Sequence, residues 1–481
     1  MGVQTVPSVR VDVVNAAPVR PDRPYVLYWM IAARRPRHNF GLQRAIELAD
    51  KHGAGLVVLE ALRCDYPWAS DRLHQFVIEG MHANRDAFDD APIRYYPYVE
   101  PRKGEGRGLL EALSQQAVVV VTDEFPSFFL PRMVKAAGEK LNVRLEQVDS
   151  NGVIPLRAPD REFTVAHSFR RWLQKNVSPW LEMPPKQYPL RGVKLPRASV
   201  PGYVLKRWPE LSMLDLSKLP IDHSVSHGYW PGGFAACEAN RMPWFDRGYR
   251  RYDEQRNHPD HDNTSNLSPW LHFGHISVWD VLGWMAERET WTPDKLTGNT
   301  DGKRGWWGMS NNGEGFMEEL VVWRELGYLW CHRHPEDYDR FDSLPDFARQ
   351  TLTQHADDER PYIYALEEFE NAQTHDEIWN AAQRQLVTEG RMHNYLRMLW
   401  GKNILHWTES PQQALEFMIH LNNKYALDGR NPNSYSGISW CLGRFDRAWG
   451  PERAVFGKVR YMTSASTKRK CRIDDYLQRY G

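Results

Sequence analysis

Short apolar runs alternate with amphipathic segments over the first third of the chain. The apolar runs have the length of buried strands and lie at 25–32, 55–62, 93–99, 117–125 and 143–149. Between them, apolar residues follow helical spacing at 41–53, 71–88, 107–116 and 130–140. Strands that alternate with helices are typical of a parallel sheet covered on both faces. We therefore predict a doubly wound α/β domain over 24–154, without the GxGxxG fingerprint of ordinary dinucleotide-binding domains.

After residue 200 the strand pattern nearly vanishes and helical spacing dominates. It recurs at 266–287, 314–333, 361–371, 375–388, 391–407 and 410–421. This pattern predicts a larger, all-α domain over 201–481. The stretch 155–200 is rich in Pro, Arg and Lys and is interpreted as an interdomain linker, and 1–23 as an extended lead-in.

Composition narrows the class of protein only slightly. A length of 481 residues favours at least two domains. The 61 basic and 61 acidic side chains cancel, which argues against a polycation but permits a local basic groove. Five scattered cysteines without a CxxC pair are typical of a reducing cytoplasm. No apolar run approaches the ~20 residues of a membrane span, so we expect no membrane association.

Aromatic residues are the unusual part of the composition. The chain has 20 tryptophans, 13 of them after residue 260. Two explanations are open: a large aromatic core, or a site that uses π-systems for stacking or electron transfer. In the helical segment RMHNYLRMLWGKNILHW (391–407), Trp400 and Trp407 are seven residues apart, which places them about 10 Å apart on one face. Trp379, on the preceding helical segment, can pack against Trp400.

The same segment carries a charge among residues expected to be buried. A buried Arg397 needs an anion, because an unpaired buried charge is too costly. Asp428, in the polar loop of NNKYALDGRNPNSY, is the candidate partner. The pair is either a structural ion pair or a device that sets the charge of a bound ligand.

Two further segments carry candidate binding chemistry. NTSNLSPWLHFGHIS (263–277) places Pro269 at a helix start, where free N–H groups suit a phosphate, although a simple cap by Ser268 explains it equally. Glu319 and Trp323 stand at i and i+4, so a carboxylate and a stacking ring can share one helix face. The alternative is a half-buried surface pair. Trp440 is a second candidate platform, and the basic run 456–472 is either a solvated tail or a phosphate-backbone contact.

Six ordered motifs carry a resemblance to a known family. SNLSPWLHFGHIS, EELVVWREL, THDEIWNAAQ, GRMHNYLRMLWGKNILHW, YALDGRNPN and FGKVRYM resemble the class II cyclobutane pyrimidine dimer DNA photolyases of the photolyase/cryptochrome superfamily. The match is dense from about 250 to 463. The first 150 residues share the layout of the family's α/β antenna-type domain, with little sequence similarity.

The resemblance implies a helical catalytic domain that binds FAD. It makes Trp400 the indole nearest the flavin, Trp379 the middle of an electron relay, and Trp407 or Tyr364 the outer donor. It places the Arg397–Asp428 pair and Asn422 beside the isoalloxazine. The resemblance assigns the FAD phosphates to four consecutive residues, Ser265, Asn266, Leu267 and Ser268. Tyr252 is expected nearby. Arg256 and Asn257 match a family motif and are assigned to the cofactor site. The residues that would contact the flipped dimer are Glu319, Trp323 and Trp440.

The implied activity is that of a carbon–carbon lyase. Reduced FADH⁻ absorbs blue or near-UV light and gives an electron to a cyclobutane dimer in DNA, the dimer splits, and the electron returns. Glu319 is expected to act protonated or through water, since it must donate a hydrogen bond. The resemblance also implies UV-damaged DNA as the partner, a monomer without an obligatory protein partner, and a cytoplasmic location, with the nucleoid if bacterial.

Three departures from the family pattern leave alternatives open. AARRPRHN (32–39) replaces an acidic RDQR-like segment, so the antenna chromophore is of the deazaflavin type or absent. CLGRFDRAW is one residue shorter than usual and lacks a histidine before Asp446, and Asn431 stands where aspartate is common. The alternatives to dimer repair are a cryptochrome-like blue-light photoreceptor, a photolyase for another photoproduct, and a DNA-damage-binding protein.

Overall fold

The computed structural model describes residues 5–212 and 214–481. The chain forms two compact units, each assembled from three segments. The first contains Met1–Asp160, Val177–Asn240 and Leu267–Ala286, and the second contains Arg161–Asn176, Arg241–Asn266 and Glu287–Gly481. The sequence predicted a linear division of this chain into 24–154, 155–200 and 201–481. That division stays a prediction.

The first unit is built on a six-stranded sheet with the order β1-β6-β5-β2-β3-β4. The strands are β1 (Val11–Val13), β2 (Tyr25–Met30), β3 (Gly55–Leu62), β4 (Arg94–Val99), β5 (Ala117–Asp123) and β6 (Leu145–Val148). Strands β2 to β6 are parallel, as predicted. β1 pairs antiparallel with β6 at the edge. Part of the segment 1–23, predicted as an extended lead-in, is therefore a strand. The sequence did not indicate β1, because three residues are too few to show an alternating pattern.

Both faces of this sheet are covered, which explains why its strands have continuous apolar sequences. Alternate residues of β2 belong to two separate cores: Tyr25 and Leu27 to one, Val26 and Tyr28 to the other. The helices up to residue 160 are α1 (Phe40–His52), α2 (Asp71–Asp89), α3 (Leu109–Ser114) and α4 (Leu130–Lys140). They fall where the helical spacing predicts them, and the sheet is the doubly wound α/β layout expected from the sequence.

Helices dominate the rest of the chain. They are α5 (Ala166–Asn176), α6 (Ser178–Leu181), α7 (Gly202–Arg207), α8 (Phe234–Arg247), α9 (Tyr252–Gln255), α10 (Ser268–His272), α11 (Val278–Glu289), α12 (Asn311–Met317), α13 (Arg324–Arg333), α14 (Asp346–Gln354), α15 (Leu366–Glu370), α16 (Glu377–Glu389), α17 (Asn394–His406), α18 (Pro411–Tyr425), α19 (Pro432–Cys441), α20 (Ser464–Lys470) and α21 (Asp474–Tyr480). A π-helical turn, Glu318–Trp323, joins α12 to α13. Short 3₁₀ turns lie at Ser8–Arg10, Leu216–Lys218, Tyr249–Arg251, Pro259–His261, Pro293–Lys295 and Phe341–Ser343.

Three of the predicted helices are broken or shorter in the structure. The pattern at 266–287 is broken between α10 and α11, because Gly274 adopts a φ of +74° and packs on the backbone of Ala32. A Cβ at Gly274 would lie 1.8 Å from that carbonyl oxygen, so only glycine fits. The pattern at 361–371 retains only α15, and Trp407 ends α17 as its C-cap instead of lying within the helix.

In the second unit, α13 packs antiparallel along α19. Cys331 Sγ lies 3.9 Å from the carbonyl oxygen of Pro432 at the start of α19. One turn earlier on α13, Gly327 faces Ser436, where an added Cβ would lie 2.7 Å from the hydroxyl oxygen. α17 packs against α16, α18 and α19, which leaves it with little exposed surface.

Candidate functional site

Three indoles form a continuous contact series inside the second unit. The rings of Trp379 on α16 and Trp400 on α17 are nearly parallel, at 5°, with centroids 6.4 Å apart. Trp407 approaches the other side of Trp379 edge-on, with centroids 6.2 Å apart. The predicted packing of Trp379 on Trp400 is thus observed, and Trp379 lies between the two tryptophans of the helical segment.

Hydrogen bonds fix the orientation of the two stacked rings. Trp379 Nε1 donates to the backbone carbonyl of Trp400 at 3.1 Å. Trp400 Nε1 donates to Gln383 Oε1 at 2.9 Å. Both indoles are buried. A buried indole N–H normally has a hydrogen-bond partner. These two bonds therefore satisfy both indole N–H groups and keep the two rings parallel.

The Arg397–Asp428 pair forms, but it is less buried than the sequence suggests. Arg397 NH2 lies 3.3 Å from Asp428 Oδ1, and the side chains retain 29% and 13% exposure. Arg397 is one turn before Trp400 on α17. Asp428 follows the end of α18, whose last turn carries the buried Asn422. Asn422 donates its side-chain N–H to Asn423 Oδ1 at 3.2 Å. The charged pair and this amide therefore lie at one end of the indole series.

His393 is the buried group that needs an occupant at this end. It is the N-cap residue of α17 and is 3% exposed. Neither ring nitrogen has a hydrogen-bond partner within the described part of the chain. Burial lowers the pKa of His393 to about 4, so the imidazole is neutral at pH 7. A buried imidazole with two unpaired nitrogens is costly, and a polar ligand would satisfy it.

The predicted phosphate segment docks at the start of α17. Arg391 forms a bidentate ion pair with Asp262, at 2.8 and 2.6 Å, and donates to Asn266 Oδ1 at 3.3 Å. Asn266 adopts a left-handed φ of +51°. Ser265 beside it is half-buried. Within the second unit, the end of this segment therefore lies next to the residues that lead into His393.

Leu267 and Ser268 belong to the first compact unit. There α10 starts at Ser268 and has only five residues, with Leu267 as its N-cap and no side-chain capping bond. The alternative that Ser268 simply caps a helix is therefore wrong. Phosphate binding by the 265–268 run stays a prediction.

Glu319 lies in a cluster with Arg256 and Tyr252. Arg256 NH1 is 2.8 Å from Glu319 Oε1, and its guanidinium lies over the Tyr252 ring at 5.5 Å. Desolvation raises the pKa of Glu319, while the charge of Arg256 lowers it. Glu319 keeps 38% of its side chain exposed, so solvent still reaches this carboxylate. Asn257, the next residue after Arg256, is exposed.

The burial of Tyr252 completes this cluster. Desolvation first, and the Glu319 carboxylate second, raise the pKa of Tyr252 to about 12, so its phenol stays protonated. Glu319 itself lies in the π-helical turn Glu318–Trp323, where i to i+5 bonding widens the helix by one residue. Such turns are frequent at functional sites.

The antiparallel packing of α13 on α19 also bears on the positions of two tryptophans. The register that pairs Cys331 with Pro432 and Gly327 with Ser436 runs from α13 back toward Trp323 and along α19 toward Trp440. Both rings are half-buried. The predicted platform residues therefore lie at the same end of this helix pair, next to the turn that carries Glu319.

Two cations approach the Trp440 ring. Lys402 Nζ lies 5.0 Å and the Arg460 guanidinium 5.5 Å from the ring centroid. Lys402 is fully buried on α17 and donates to the carbonyl oxygen of Cys441 at 2.6 Å. Its burial lowers the pKa of Lys402 to about 8. The ammonium thus caps the C-terminal end of α19, where helix carbonyls lack partners.

The departures near Trp440 have local structural explanations. Asn431 caps α19 by accepting from the backbone N–H of Asn433 at 2.7 Å, a role that asparagine and aspartate share. In the shortened segment, Asp446 binds Arg460 at 2.8 Å and accepts from Trp449 Nε1 at 3.1 Å. The segment therefore holds Arg460 near Trp440 without a histidine.

The first unit has a separate cavity of about 420 Å³ beside strands β2 to β4 and helices α3 and α4. Its lining is mainly aliphatic and includes the rings of Trp29, Tyr98 and Phe129. Both basic and acidic side chains, among them Arg34 and Glu100, border it. Arg34, from the unusual AARRPRHN segment, pairs with the buried Glu60 at 3.0 Å. The volume lies in the range of small-molecule sites.

Sequence reasoning missed His393, Lys402, Gln383 and His375. Lys402 carries no periodic signal, because a helix buried on all sides gives no amphipathic pattern. His393 is the N-cap of α17 and His375 precedes α16, so neither histidine lies within a helix whose spacing could indicate its position. Within residues 5–212 and 214–481, no cluster of three His, Cys, Asp or Glu side chains is arranged to hold a metal ion. The helices of that same part include none with the length and apolarity to cross a membrane.

Comparison with known proteins gives sequence relatives along nearly the whole chain. No family model matches. A deoxyribodipyrimidine photo-lyase of Methanothermobacter thermautotrophicus is 35% identical over 466 residues, covering 95% of this chain and 94% of the relative. Proteins of the same name from Potorous tridactylus (33%, 94% and 80% covered) and Arabidopsis thaliana (31%, 94% and 88% covered) are also similar.

Solved structures show the same fold at low sequence identity. A class III photolyase from Agrobacterium tumefaciens superposes with a TM-score of 0.68 at 19% identity, covering 97% of this chain and 87% of that one. A cryptochrome from Synechocystis gives 0.62 at 14%, covering 95% and 88%. With relatives above 30% identity that span nearly all of its length, the chain belongs to the deoxyribodipyrimidine photo-lyase family.

Proposed function

We propose that this protein repairs DNA in a light-driven reaction, as a class II enzyme that splits cyclobutane pyrimidine dimers with reduced FAD. The observation that carries the proposal is the uninterrupted series of Trp400, Trp379 and Trp407, which ends beside the Arg397–Asp428 pair. Core packing alone does not require three tryptophans in contact. Electron transfer from the protein surface to a buried cofactor does require such a series.

The residues at the inner end fit FAD. His393 offers two unpaired ring nitrogens, Arg397 and Asp428 offer opposite charges, and Asn422 offers an amide. We assign the isoalloxazine to these residues and the phosphates to the run Ser265–Ser268. Tyr252, Arg256 and Asn257 are assigned to the cofactor site as well. When bound and reduced, FAD supplies light absorption and the electron, which no side chain can supply. The relay residues restore the reduced state, with Trp400 first, Trp379 in the middle and Trp407 or Tyr364 outermost.

The lesion is assigned to the surface at Glu319. Trp323 and Trp440 provide faces on which an extruded pyrimidine dimer can stack, and a damaged site leaves the DNA helix more easily. Glu319 donates a hydrogen bond to the dimer when protonated. Its pKa is raised by desolvation, and a DNA lesion that displaces water would raise it further. The charge of Arg256 opposes this shift.

DNA binding draws on exposed basic residues of the second unit. Lys468, Arg469 and Lys470 form an exposed end of α20. We place UV-damaged DNA as the partner, with binding that weakens as salt increases. A monomeric state and a location with the DNA, cytoplasmic or nuclear, belong to the same proposal.

The test is repair of an oligonucleotide that carries one thymine cyclobutane dimer. The protein is chemically reduced, and matched samples are kept dark or exposed to blue light. Recovery of intact thymines only in light supports the proposal. Trp379→Phe is the matched control: after chemical reduction it should still repair, because the relay acts only in photoreduction. No recovery by a protein that binds and photoreduces FAD would contradict the proposal and favour a photoreceptor or another photoproduct.

We propose further that the cavity of the first unit holds an antenna chromophore of the deazaflavin type. Its volume of about 420 Å³ and the rings of Trp29, Tyr98 and Phe129 in its lining suit a planar tricyclic ligand. Reconstitution with a deazaflavin should give a bound absorption band and energy transfer to FAD. Trp29→Ala should weaken that binding while FAD content stays unchanged. Absence of a bound chromophore after reconstitution would refute the assignment.

A further inference from the structure

We infer that Tyr364 and His375 act as a proton-coupled electron donor at the outer end of the indole series. In this pair His375 Nδ1 takes the phenol proton as Tyr364 gives up an electron. The inference rests on the proposed photoreduction through the relay. It makes Tyr364 the terminal donor instead of Trp407 and assigns His375 a role that its sequence position does not suggest.

Two hydrogen bonds join Tyr364 to His375. The Tyr364 hydroxyl oxygen lies 2.8 Å from His375 Nδ1, and the backbone N–H of His375 donates to the same oxygen at 2.9 Å. The backbone N–H occupies one acceptor position of the phenol oxygen, and we take the phenol O–H as the donor to Nδ1. One residue thus holds the phenol oxygen from two sides.

The pair is in direct contact with the relay. The Tyr364 ring is 6.0 Å from Trp407 in an edge arrangement, and the His375 ring is 4.8 Å from Trp407. The backbone N–H of Tyr364 also donates to the carbonyl of Trp407 at 3.0 Å. On its outer side His375 stacks on Tyr362 at 3.7 Å, and Tyr362 is 45% exposed. The pair therefore lies where the buried series reaches the surface.

The proposed step balances without a further reagent. The oxidant is the indole radical cation left on Trp407 when the relay delivers an electron inward. Tyr364 gives one electron to Trp407, its O–H bond breaks, and the proton moves to His375 Nδ1. The products are a neutral indole, a neutral tyrosyl radical and an imidazolium. Return of the electron then requires return of the proton, which lengthens the lifetime of the separated charge.

Time-resolved absorption after a light flash on the FAD-bound, oxidised protein tests the inference. The wild type should show the indole radical replaced by a tyrosyl radical, and the replacement should slow in D₂O. His375→Phe keeps an aromatic ring against Tyr362 and Trp407 but removes the base. In that variant the tyrosyl signal and the isotope dependence should be lost, while the indole radical still forms.

Two controls separate this step from folding and from repair. Tyr364→Phe should show the same loss with the histidine intact, and equal FAD content shows that each variant is folded. A tyrosyl radical formed at the wild-type rate in His375→Phe, or a wild type without isotope dependence, would overturn the inference. Since the flash experiment contains no DNA, failure of dimer repair contradicts the proposed function and leaves this result standing.

Discussion

Gly401 provides a sharp test of how α17 is held against α19. It lies next to Trp400, in the middle of a helix where glycine is otherwise unfavourable. A Cβ at this position would lie 2.6 Å from Cys441 Sγ and 3.0 Å from Met418 Sδ. The Cys441 Cβ would be 3.2 Å away, so rotation of that side chain does not relieve the contact fully.

The effect of Gly401→Ala follows from two opposing terms. Alanine in a helix interior gains about 1 kcal/mol over glycine. Overpacking a buried contact costs about 1–3 kcal/mol. The variant should therefore lose about 0–2 kcal/mol of unfolding free energy. Gly437 in α19 is the matched control, because an added Cβ there meets no atom within 4 Å. Gly437→Ala should gain about 0.5–1 kcal/mol.

Thermal unfolding of both variants measures the difference at equal FAD saturation, since bound ligand adds stability by mass action. One kcal/mol corresponds to about 2–4 °C for units of 150–250 residues. Gly437→Ala should melt higher than wild type, and Gly401→Ala level with it or lower. Photoreduction of FAD should also slow in Gly401→Ala, because Trp400 moves with the helix. An equal rise of Tm in both variants would refute the close approach of α17 to α19.

Three other substitutions test separate features. Trp400→Phe should slow photoreduction of oxidised flavin while FAD stays bound, as flash spectroscopy and FAD content would show. Lys402 has a folded pKa of about 8, below its ordinary 10.5, so wild-type stability should rise between pH 8 and 10.5. Lys402→Met should lack that rise in urea titrations. Burial raises the pKa of Glu124 to about 8 from 4.5, so wild-type stability should fall as pH rises through this window. Glu124→Gln should flatten the fall in the same titrations.

The sequence predicted the fold best in the α/β sheet, whose strands are buried on both faces. β3 and α4 have the bounds that the sequence pattern indicates, because a strand covered on both faces reads as a continuous apolar run. β1 was not predictable, since three residues contain no usable period. The break at Gly274 was also hidden, because its cause is the backbone of Ala32, more than 200 positions away in the sequence.

The candidate site was predictable in its aromatic parts and less so in its charges. The contact of Trp379 with Trp400 follows from helical spacing and neighbouring helices. The spacing gave no sign of the π-helical turn under Glu319 or of the complete burial of Lys402, since lysine counts as a surface residue in any pattern. The half-exposed state of Arg397 depends on the loop that follows α18, whose path local sequence does not determine.

α17 carries charges beside its indoles because each charge meets a specific partner at the place where the helix needs one. Arg397 pairs with Asp428 at the inner end of the indole series. Lys402 binds the carbonyl at the end of α19 and lies against Trp440. Trp400 lies between these two positions in the helix. A displacement of α17 would therefore change the relay and the proposed lesion platform together, which explains why glycine, the residue that permits the closest helix approach, follows Trp400.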